Sequence, residues 1–566
     1  MCGIVGIASS KEFSIKELLQ ALKRLEYRGY DSHGFVTDTG IIKKKIGEIK
    51  IIKDNNKCKV GLSHCRWATH GRVSEKNAHP HSDCKNEIFI VHNGIISNYE
   101  KLKNKLKNHK FKSETDSEVI VHYIEEKLKK KDMIHAISDF FREAQGEFAV
   151  LLMLKGDEKI YAFKRGSPMV IGVAKDMNII ASDIYAFSDK TNKAIFFNEN
   201  DLAVVSNNRY EFYKMPSMTK GKRKLNTIRW TQNEEKHSYK HYMIKEIMEQ
   251  PIAAKRLLNS LKNEQSESLL ELKKLIKNSR RVVFVASGSS YHASLLGVYF
   301  LNKAGIEAHT IIASEFRNFT LLDEKTLVIA ISQSGETMDV IEALNGIKAK
   351  GVKIASFVNV PYSTIQRMSQ LSVNICAGQE ICVAATKTLT NQIIALLHLA
   401  SLFGYKSDID NIPSEIGKFL NNNDIEKIAK SLKNQEDIYI IGRGFAYPVA
   451  REIALKLKEI PYIHAEGMMG GELKHGTLAL IEKGTPVIAL TPENDNDIIS
   501  NVKEVEARGA RVISIGNSDI KINTDNEATF ALLAIITGQL LAYYIAKEKK
   551  LPIDKPRNLA KCVTVK

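Results

Sequence analysis

A cysteine at position 2 is the first residue whose type and place could do chemistry. Met1 is ordinarily removed when a small residue follows, which would leave a free α-amine on the thiol-bearing residue. Such an amine has a pKa of ~7.7–8.0, so it can act as base for its own nucleophile near neutral pH. Taken alone, Cys2 reads equally well as a buried structural cysteine. Its possible companions are polar and aromatic. Arg66-Trp67-Ala68-Thr69-His70-Gly71 and Asn77-Ala78-His79-Pro80-His81 are two such runs. Val91 to Ile96 reads as Asn93-Gly94 set just after a strand, where amide donors can face an oxyanion. Ser113-Glu114-Thr115-Asp116 adds a carboxylate.

A second group lies far down the chain. Ser332-Gln333-Ser334-Gly335-Glu336-Thr337 follows an apolar run and precedes a helical pattern. Hydroxyls, backbone N–H groups and a helix N-terminus can converge there on a phosphate. An ordinary helix cap is the bland alternative. Arg451 to Glu459 reads as a helix with Glu452, Lys456 and Glu459 on one face, which by itself is a solvated salt-bridge stripe. Lys561, near the C-terminus, is by itself one more surface charge.

The elements that must position these residues fall into two styles. The first ~210 residues read as strand-rich, with Ile88–His92, Phe148–Leu154 and Ile179–Ala181 as strands. Residues 215–240 are polar and lysine-rich without apolar periodicity, and read as a linker. From about His241, strands alternate with helices, the pattern of a parallel sheet covered by helices. This part repeats itself at an offset of ~157 residues. Val282–Tyr291 is answered by Ile438–Tyr447, Ala313–Phe316 by Gly470–Leu473, Ile331-Ser332 by Leu490-Thr491, and Gly351–Ser356 by Gly509–Ser514. The second copy has Thr491-Pro492-Glu493-Asn494-Asp495 where the first has its hydroxyl run. Proline removes a donor and acidic residues repel phosphate, so one phosphate site is expected, in the first copy. Ala528–Ala546 is uncharged and long enough to span a membrane, but within an α/β pattern a buried helix is expected.

Composition narrows the class. The chain has 566 residues, 44% hydrophobic and 26% charged, which excludes a disordered, collagen-like or disulfide-scaffold protein. The net charge of +17 is spread along the whole length with no nucleic-acid motif, so a solvated lysine-rich surface is expected and no nucleic-acid partner. Seven cysteines with no C-x-x-C fit free thiols in a reducing cytoplasm. Cys58, Cys65, His79, His81 and Cys84 match no standard zinc spacing, so no metal is expected. No signal peptide is read at the N-terminus.

Met1-Cys-Gly-Ile-Val-Gly, Leu25-Glu-Tyr-Arg-Gly-Tyr-Asp-Ser, His92-Asn-Gly-Ile and Glu114-Thr-Asp resemble a class II (N-terminal nucleophile) glutamine amidotransferase domain. The repeated half carries Ser332–Thr337, Leu457-Lys-Glu-Ile, Gly471-Glu-Leu-Lys-His-Gly and Pro556-Arg-Asn-Leu-Ala-Lys, and resembles a pair of sugar isomerase (SIS) domains. The combination is similar to the glutamine–fructose-6-phosphate aminotransferase family, over essentially the whole chain. The resemblance implies an αββα sandwich followed by two parallel-sheet αβα domains. Its boundaries are 2–214 for the glutaminase domain, 215–240 for the linker, 241–408 and 409–554 for the SIS domains, and 555–566 for a C-terminal tail.

The implied reaction makes glucosamine 6-phosphate and glutamate from fructose 6-phosphate and glutamine, as the first step of hexosamine synthesis, without a cofactor. By the same resemblance, Cys2 attacks the glutamine amide and Asn93 and Gly94 form the oxyanion hole. Arg66, Trp67, Thr69, His70 and Asp116 bind glutamine, while Arg28 and Trp67 gate the site. Ser289, Ser290, Ser332, Gln333, Ser334, Thr337 and Val383 bind the sugar phosphate. Lys561 forms a Schiff base, and Glu459, beside Lys456, moves the proton between C1 and C2. His475 promotes ring opening from a neighbouring subunit, which implies a homodimer or higher oligomer. Ammonia must pass sheltered from water between the two sites.

The chain departs from the family pattern at His33, Ser287, Ala385, Gly467-Met468-Met469 and Thr477, and the loss of a hydroxyl at Ala385 bears on a sugar contact. Two other functions stay open on sequence: an amidotransferase or deglycase for another phosphosugar, and a sugar-phosphate-binding regulator with a relic glutaminase.

Overall fold

The chain enters β1 (Gly3–Ser14) one residue after Cys2, so the first strand fixes where that thiol lies. In this computed structural model, residues 2–52, 56–228, 238–319, 322–421, 424–493 and 495–563 are described. Residues 1–231 with 562–566 form one unit and residues 232–561 a second.

Ser14 ends β1 and caps α1 (Ile15–Lys23). Its hydroxyl accepts from the Glu17 N–H while the Glu17 carboxylate takes the Ser14 N–H, a reciprocal capping box. Ile15, Leu18, Leu19 and Leu22 recur at helical spacing and are buried against the sheet. β1 pairs antiparallel with β2 (Lys57–Arg66) in an eight-stranded sheet, with Gly3 opposite Cys65. β3 (Ile88–Ile96) and β4 (Gly146–Leu154) pair antiparallel in a seven-stranded sheet, with Asn93 opposite Ala149 and Gly94 opposite Phe148. Side chains from both sheets, among them Ile4, Leu62, Val91 and Leu151, share one core. α2 (Glu118–Leu128) and α3 (Met133–Glu143) pack on the outer face of the seven-stranded sheet around Phe140, Phe148 and Phe163. The layers are therefore α, β, β, α.

The expected linker is partly built into these sheets. Thr219–Gly221 is the edge strand of the seven-stranded sheet and Leu225–Thr227 the edge strand of the eight-stranded one. Edge strands are held by backbone hydrogen bonds on one side and tolerate lysine, so they carry no apolar alternation to read. The rest of that stretch includes residues 229–237, which lie outside the described residues.

The second unit contains the repeat. In the first copy the elements run β5 (Arg281–Ala286), α4 (Gly288–Lys303), β6 (Ala308–Ile312), β7 (Thr326–Ser332), α5 (Met338–Ile347), β8 (Lys353–Val358), β9 (Leu371–Asn374) and α6 (Lys387–Ser401). The second runs β10 (Asp437–Gly442), α7 (Ala446–Glu459), β11 (His464–Met469), β12 (Pro486–Leu490), β13 (Arg511–Gly516), β14 (Ile520–Lys521) and α8 (Glu527–Glu548). Both sheets are parallel and five-stranded, in the orders β6-β5-β7-β8-β9 and β11-β10-β12-β13-β14. The identical second-first-third order is the structural form of the duplication. The order turns back beside the first strand, and ligands of such sheets bind at the strand C-termini near that point.

The two copies are not separate bodies. One continuous core holds Phe284, Leu296 and Leu396 from the first copy together with Ile440, Ile453, Ile515 and Leu541 from the second. α8 is apolar on every side and 94% of its most apolar stretch is buried, so it is a core helix. It approaches α7 closely: a Cβ on Gly538 would lie 2.4 Å from Ile453 Cγ1. Inside this core the Gln250 amide donates to Gln539 Oε1 at 2.9 Å.

Candidate active site

The first unit gathers the glutaminase candidates around Cys2, which is half-buried. The ladder between β1 and β2 carries Cys2 to the end of β2, where Arg66 and Trp67 follow. Cys2 Sγ accepts from the Trp67 N–H at 3.3 Å, and the thiol lies 3.5 Å from the Trp67 carbonyl. Burial pushes the thiol up from its ordinary pKa, while the Trp67 N–H and the Arg66 guanidinium pull the other way. The thiol therefore needs a base to become a nucleophile.

Asn93 and Gly94 lie inside β3 rather than after it, because the ladder to β4 continues to Ile96. Asn93 Nδ2 donates to the Cys2 carbonyl at 3.0 Å, which brings that side chain directly to the nucleophile. Gly94 has φ +127°, and a Cβ there would lie 2.0 Å from the Glu147 carbonyl oxygen. Only glycine fits this position.

Arg66 is buried, and its guanidinium donates to the carbonyls of His70, Gly71 (2.9 Å) and Arg72 (3.3 Å). The loop is held from the other side by Asp31 Oδ2, which accepts from the Ala68 N–H at 2.8 Å. Trp67 stands edge-on to Tyr30, His70 edge-on to Tyr99, and Thr69 is exposed. Asp116 is buried, and its Oδ2 accepts from the Ile96 N–H at 2.7 Å, tying it to the end of β3.

Arg28 is not a loose side chain at a gate. It is 2% exposed, its Nη2 lies 2.6 Å from Asp183 Oδ2, and Tyr27 OH donates to the same carboxylate at 2.7 Å. A buried ion pair of this kind holds a wall in place. Sequence reading missed Asp183, which lies 155 residues from its partner.

The cysteine and histidine group weighed as a zinc site does not converge. Cys65 is buried beside Gly3, and Cys58 lies at the outer end of β2. His79 stacks on His64 at 4.0 Å and meets His81 at 4.5 Å and His92 at 6.5 Å. Burial pushes His64 down to about 3 and His92 to about 4, so both are neutral at physiological pH.

In the second unit the phosphate candidates follow β7. Ser332 closes the strand, and its Oγ accepts from the Gly335 N–H at 3.0 Å and lies 3.1 Å from Thr337 Oγ1. Ser334 Oγ accepts from the Glu336 N–H at 3.1 Å, and the Gln333 carbonyl accepts from the Asn359 N–H at 3.2 Å. Gly335, at φ +64°, would set a Cβ 2.0 Å from Ser363 Oγ. The Glu336 carboxylate is turned to the Thr364 N–H, 2.7 Å away. Thr337 is the N-cap of α5 but makes no side-chain cap bond. At the matching place in the second copy, Asp495 caps the helix Asn496–Glu506, which follows β12, by accepting from the Ile498 N–H at 3.0 Å. A carboxylate thus fills the anion position there, while Asn494 lies outside the described residues.

Ser289 and Ser290 open α4, but neither hydroxyl joins this loop. Ser289 donates to Glu452 Oε1 at 2.9 Å, and Ser290 accepts from the Gln392 amide at 3.0 Å. Glu452 is the centre of a network across the two copies. It lies 2.7 Å from His292 Nδ1 and 3.3 Å from Lys456 Nζ, which also pairs with Glu459. Lys456 is fully buried and Glu459 is 21% exposed, so the stripe read as solvated is a buried charge relay with one end open. Burial alone would lower the Lys456 ammonium pKa, but Glu452 and Glu459 raise it overall.

Lys561 is buried and ion-paired with Glu380. Glu380 also accepts from the Thr386 N–H at 2.9 Å and from the Thr388 hydroxyl at 2.7 Å. Burial works against its charged form, yet Lys561 and these donors hold the carboxyl below the usual range. Glu246, pushed up to about 8 by burial and by Glu380, accepts from the Cys382 N–H at 3.2 Å. Val383 donates its N–H to the Asp554 carbonyl at 3.1 Å, which ties the C-terminal segment to this loop. His475 is exposed at the end of the short turn Gly470–His475, and among the described residues no hydrogen bond or ion pair reaches it.

Comparison with known proteins follows the same division. A glutamine amidotransferase domain model matches residues 1–243, and an SIS domain model matches residues 275–402 and 431–546. The glutamine–fructose-6-phosphate aminotransferase (isomerizing) of Aquifex aeolicus is 40% identical over 597 aligned residues, covering all of both chains. That of Thermococcus kodakarensis is 38% identical over 606, again covering all of both. Among solved structures, the C-terminal domain of the Francisella tularensis glucosamine-fructose-6-phosphate aminotransferase is 34% identical. It covers 57% of this chain and 100% of its own, with a TM-score of 0.52. A Thermotoga maritima glucosamine-6-phosphate deaminase is 26% identical with the same coverage and a TM-score of 0.50.

Proposed function

Since the chain belongs to the family of glutamine–fructose-6-phosphate aminotransferases (isomerizing), we propose a role for each residue of its two sites. The enzyme converts fructose 6-phosphate and glutamine to glucosamine 6-phosphate and glutamate. The observation that carries this reading is the match along the entire chain, since a deaminase-like protein would share only the second unit.

In the glutaminase site, the Cys2 α-amine, freed once Met1 is removed, takes the thiol proton. The thiolate attacks the glutamine amide carbonyl, and Asn93 Nδ2 and the Gly94 N–H stabilise the oxyanion, at ~3 kcal/mol per well-placed donor. Arg66 pairs with the substrate α-carboxylate and Asp116 with its α-ammonium, while Thr69 and His70 line the approach. The Cys2 α-ammonium returns that proton to the amide nitrogen, collapse to the thioester expels ammonia, and water then releases glutamate. Trp67 closes the site, and Arg28, fixed by Asp183, forms its wall.

At the sugar site, Ser332, Gln333, Ser334 and Thr337 hold the phosphate at the α5 N-terminus. Val383 lines the sugar, and Ser289 and Ser290 act on this site through Glu452 and Gln392. Lys561 condenses with the C2 ketone of the open chain, losing water to form an imine. Glu380 holds the lysine at its place, and the proton its ammonium sheds is carried off in the water that leaves. Glu459, its charge balanced by Lys456, transfers the proton between C1 and C2. Before that proton transfer, ammonia, delivered without exposure to water, adds to the C2 imine and expels the Lys561 amine, so the proton moves on the ammonia-derived imine. His475, exposed on its own chain, acts at the sugar of a neighbouring subunit, which requires at least a homodimer. Seven free cysteines support a cytoplasmic setting.

The test is product identification by mass spectrometry with glutamine and fructose 6-phosphate. In Cys2→Ala, glutamine-dependent synthesis falls on the order of 1,000-fold or more while ammonia-dependent synthesis persists. Unchanged glutamine use would move the nucleophile elsewhere. In Lys561→Arg, borohydride traps no sugar on the protein, and full trapping would reassign the imine.

A further inference from the structure

Away from both sites, four donor atoms meet on the first unit. They are Cys84 Sγ, His109 Nδ1, His122 Nδ1 and Glu125 Oε2, all within 4.8 Å of one another. They come from three separate places. Cys84 lies in the turn between His81-Ser82 and β3, His109 follows the helix Tyr99–Lys105, and His122 and Glu125 lie one turn apart on α2. We propose that Cys84, His109, His122 and Glu125 form a structural binding site for a divalent cation of the zinc class.

The donor chemistry is one thiolate, two imidazoles and one carboxylate, the set that selects a borderline-soft ion over magnesium or calcium. The spacing fits as well. Zinc–sulfur and zinc–nitrogen bonds in a tetrahedron set S···N edges of about 3.6 Å. Cys84 Sγ lies 3.7 Å from His109 Nδ1 and 3.7 Å from His122 Nδ1. Glu125 Oε2 lies 2.9 Å from His109 Nδ1 and 3.0 Å from His122 Nδ1, edges that open by a few tenths of an ångström around an ion.

The surroundings are those of a metal site. Each imidazole presents its Nδ1 inward. His109 Nε2 lies 2.8 Å from Glu126 Oε2, while His122 Nε2 makes no hydrogen bond among the described residues and has Glu118 Oε1 3.5 Å away. Carboxylates behind ligating histidines fix ring orientation and raise ligand basicity. The Lys110 N–H points to Cys84 Sγ at 3.5 Å, a donor suited to a thiolate. Both histidine side chains are at most 3% exposed and Glu125 is 15% exposed, and the exposed Cys84 forms the open side of the site. Four protein ligands leave no open position, which marks a structural role rather than a catalytic one.

The site would brace the glutamine pocket. Glu118, behind His122, accepts from the Lys112 N–H at 2.8 Å and the Ser113 N–H at 2.6 Å, in the segment leading to Asp116. A cation would lock α2, the 109 loop and the 84 turn into one body around that segment.

The experiment uses the full chain, stripped with a chelator and reloaded with zinc or cobalt(II). Elemental analysis should find about one equivalent per chain, and the cobalt form should show a thiolate charge-transfer band. Cys84→Ser should abolish that band, and Cys84→Ser and His109→Gln should each weaken zinc binding on the order of 10-fold or more. Zinc should raise the melting temperature of the native protein and leave that of both variants unmoved. A chain that takes up less than about a tenth of an equivalent overturns the proposal, as does wild-type uptake and spectrum in both variants. Because His109→Gln changes no sulfur, it keeps the test intact if Cys84→Ser fails to fold.

Discussion

Single residues in this chain are set apart by what burial does to their charge. Lys456 sits between Glu452 and Glu459, and only Glu459 reaches solvent. Removing charge from the two carboxylates should therefore have opposite consequences. Glu452→Gln leaves a buried ammonium with one partner and strips Ser289 and His292 of theirs, so unfolding should be easier by about 3–5 kcal/mol, read from urea midpoints. Glu459→Gln should leave that midpoint nearly unchanged while stopping proton exchange at C1, read as lost deuterium incorporation into the sugar. Equal stability losses in the two variants would mean that the relay has no open end. The same contrast explains Lys561, whose amine is delivered to its site already paired with Glu380.

Backbone elements impose the next layer of constraint. Gly94 lies inside β3 with its Cα pressed against the Glu147 carbonyl, and Gly335 bends the loop after β7 against Ser363. Gly94→Ala should cost about 3 kcal/mol or more in stability, since strain and overlap add. Gly335→Ala should instead raise KM for fructose 6-phosphate at least 10-fold with the glutaminase unaffected, because the phosphate loop alone is displaced. A Gly335→Ala enzyme with normal KM would place the phosphate elsewhere. Much of this layer could be read from residues. Apolar runs gave the strands, the ordered landmarks gave the repeat, and uniform apolarity gave α8 as a core helix. The edge strands at 219–227 could not be read, because backbone pairing leaves no pattern in side chains. Nor could the pairing of Lys561 with Glu380, of Arg28 with Asp183, or of Cys84 with His109 and His122. Those partners are distant in sequence, and only tertiary packing brings them together. Ser289 shows the converse: the family resemblance implied a phosphate contact, while packing of α4 on α7 gave it a carboxylate.

The molecule as a whole should respond to acid through its first unit. His64, His79, His81 and His92 are all held below their ordinary pKa by burial, His64 near 3 and His92 near 4. Unfolding restores a value of about 6.5, so between about pH 6.5 and 4 the unfolded chain binds protons that the folded chain refuses. Stability is full above that window and falls as pH drops through it, by up to about 1.4 kcal/mol per pH unit for each histidine. His122, which burial lowers but Glu118 and Glu125 raise further, opposes this, while His33, also held down by burial, adds to it. Calorimetry from pH 7.5 to 5 should show the transition of the first unit moving steadily down, and a flat profile would mean that these rings are hydrated. The +17 net charge favours approach of an anionic substrate.

The shared core of the two copies also sets an order of events at birth. α6 and α7 both pack against α8, whose last residue is Glu548 in a chain of 566. A ribosome moving at about 5–20 residues per second needs roughly 7–30 s to pass from Ser401, the end of the first copy, to the end of that helix. Through that interval the first copy is complete in sequence yet has its apolar face uncovered. The nascent chain therefore carries a waiting surface, and a holding chaperone has its longest opportunity there.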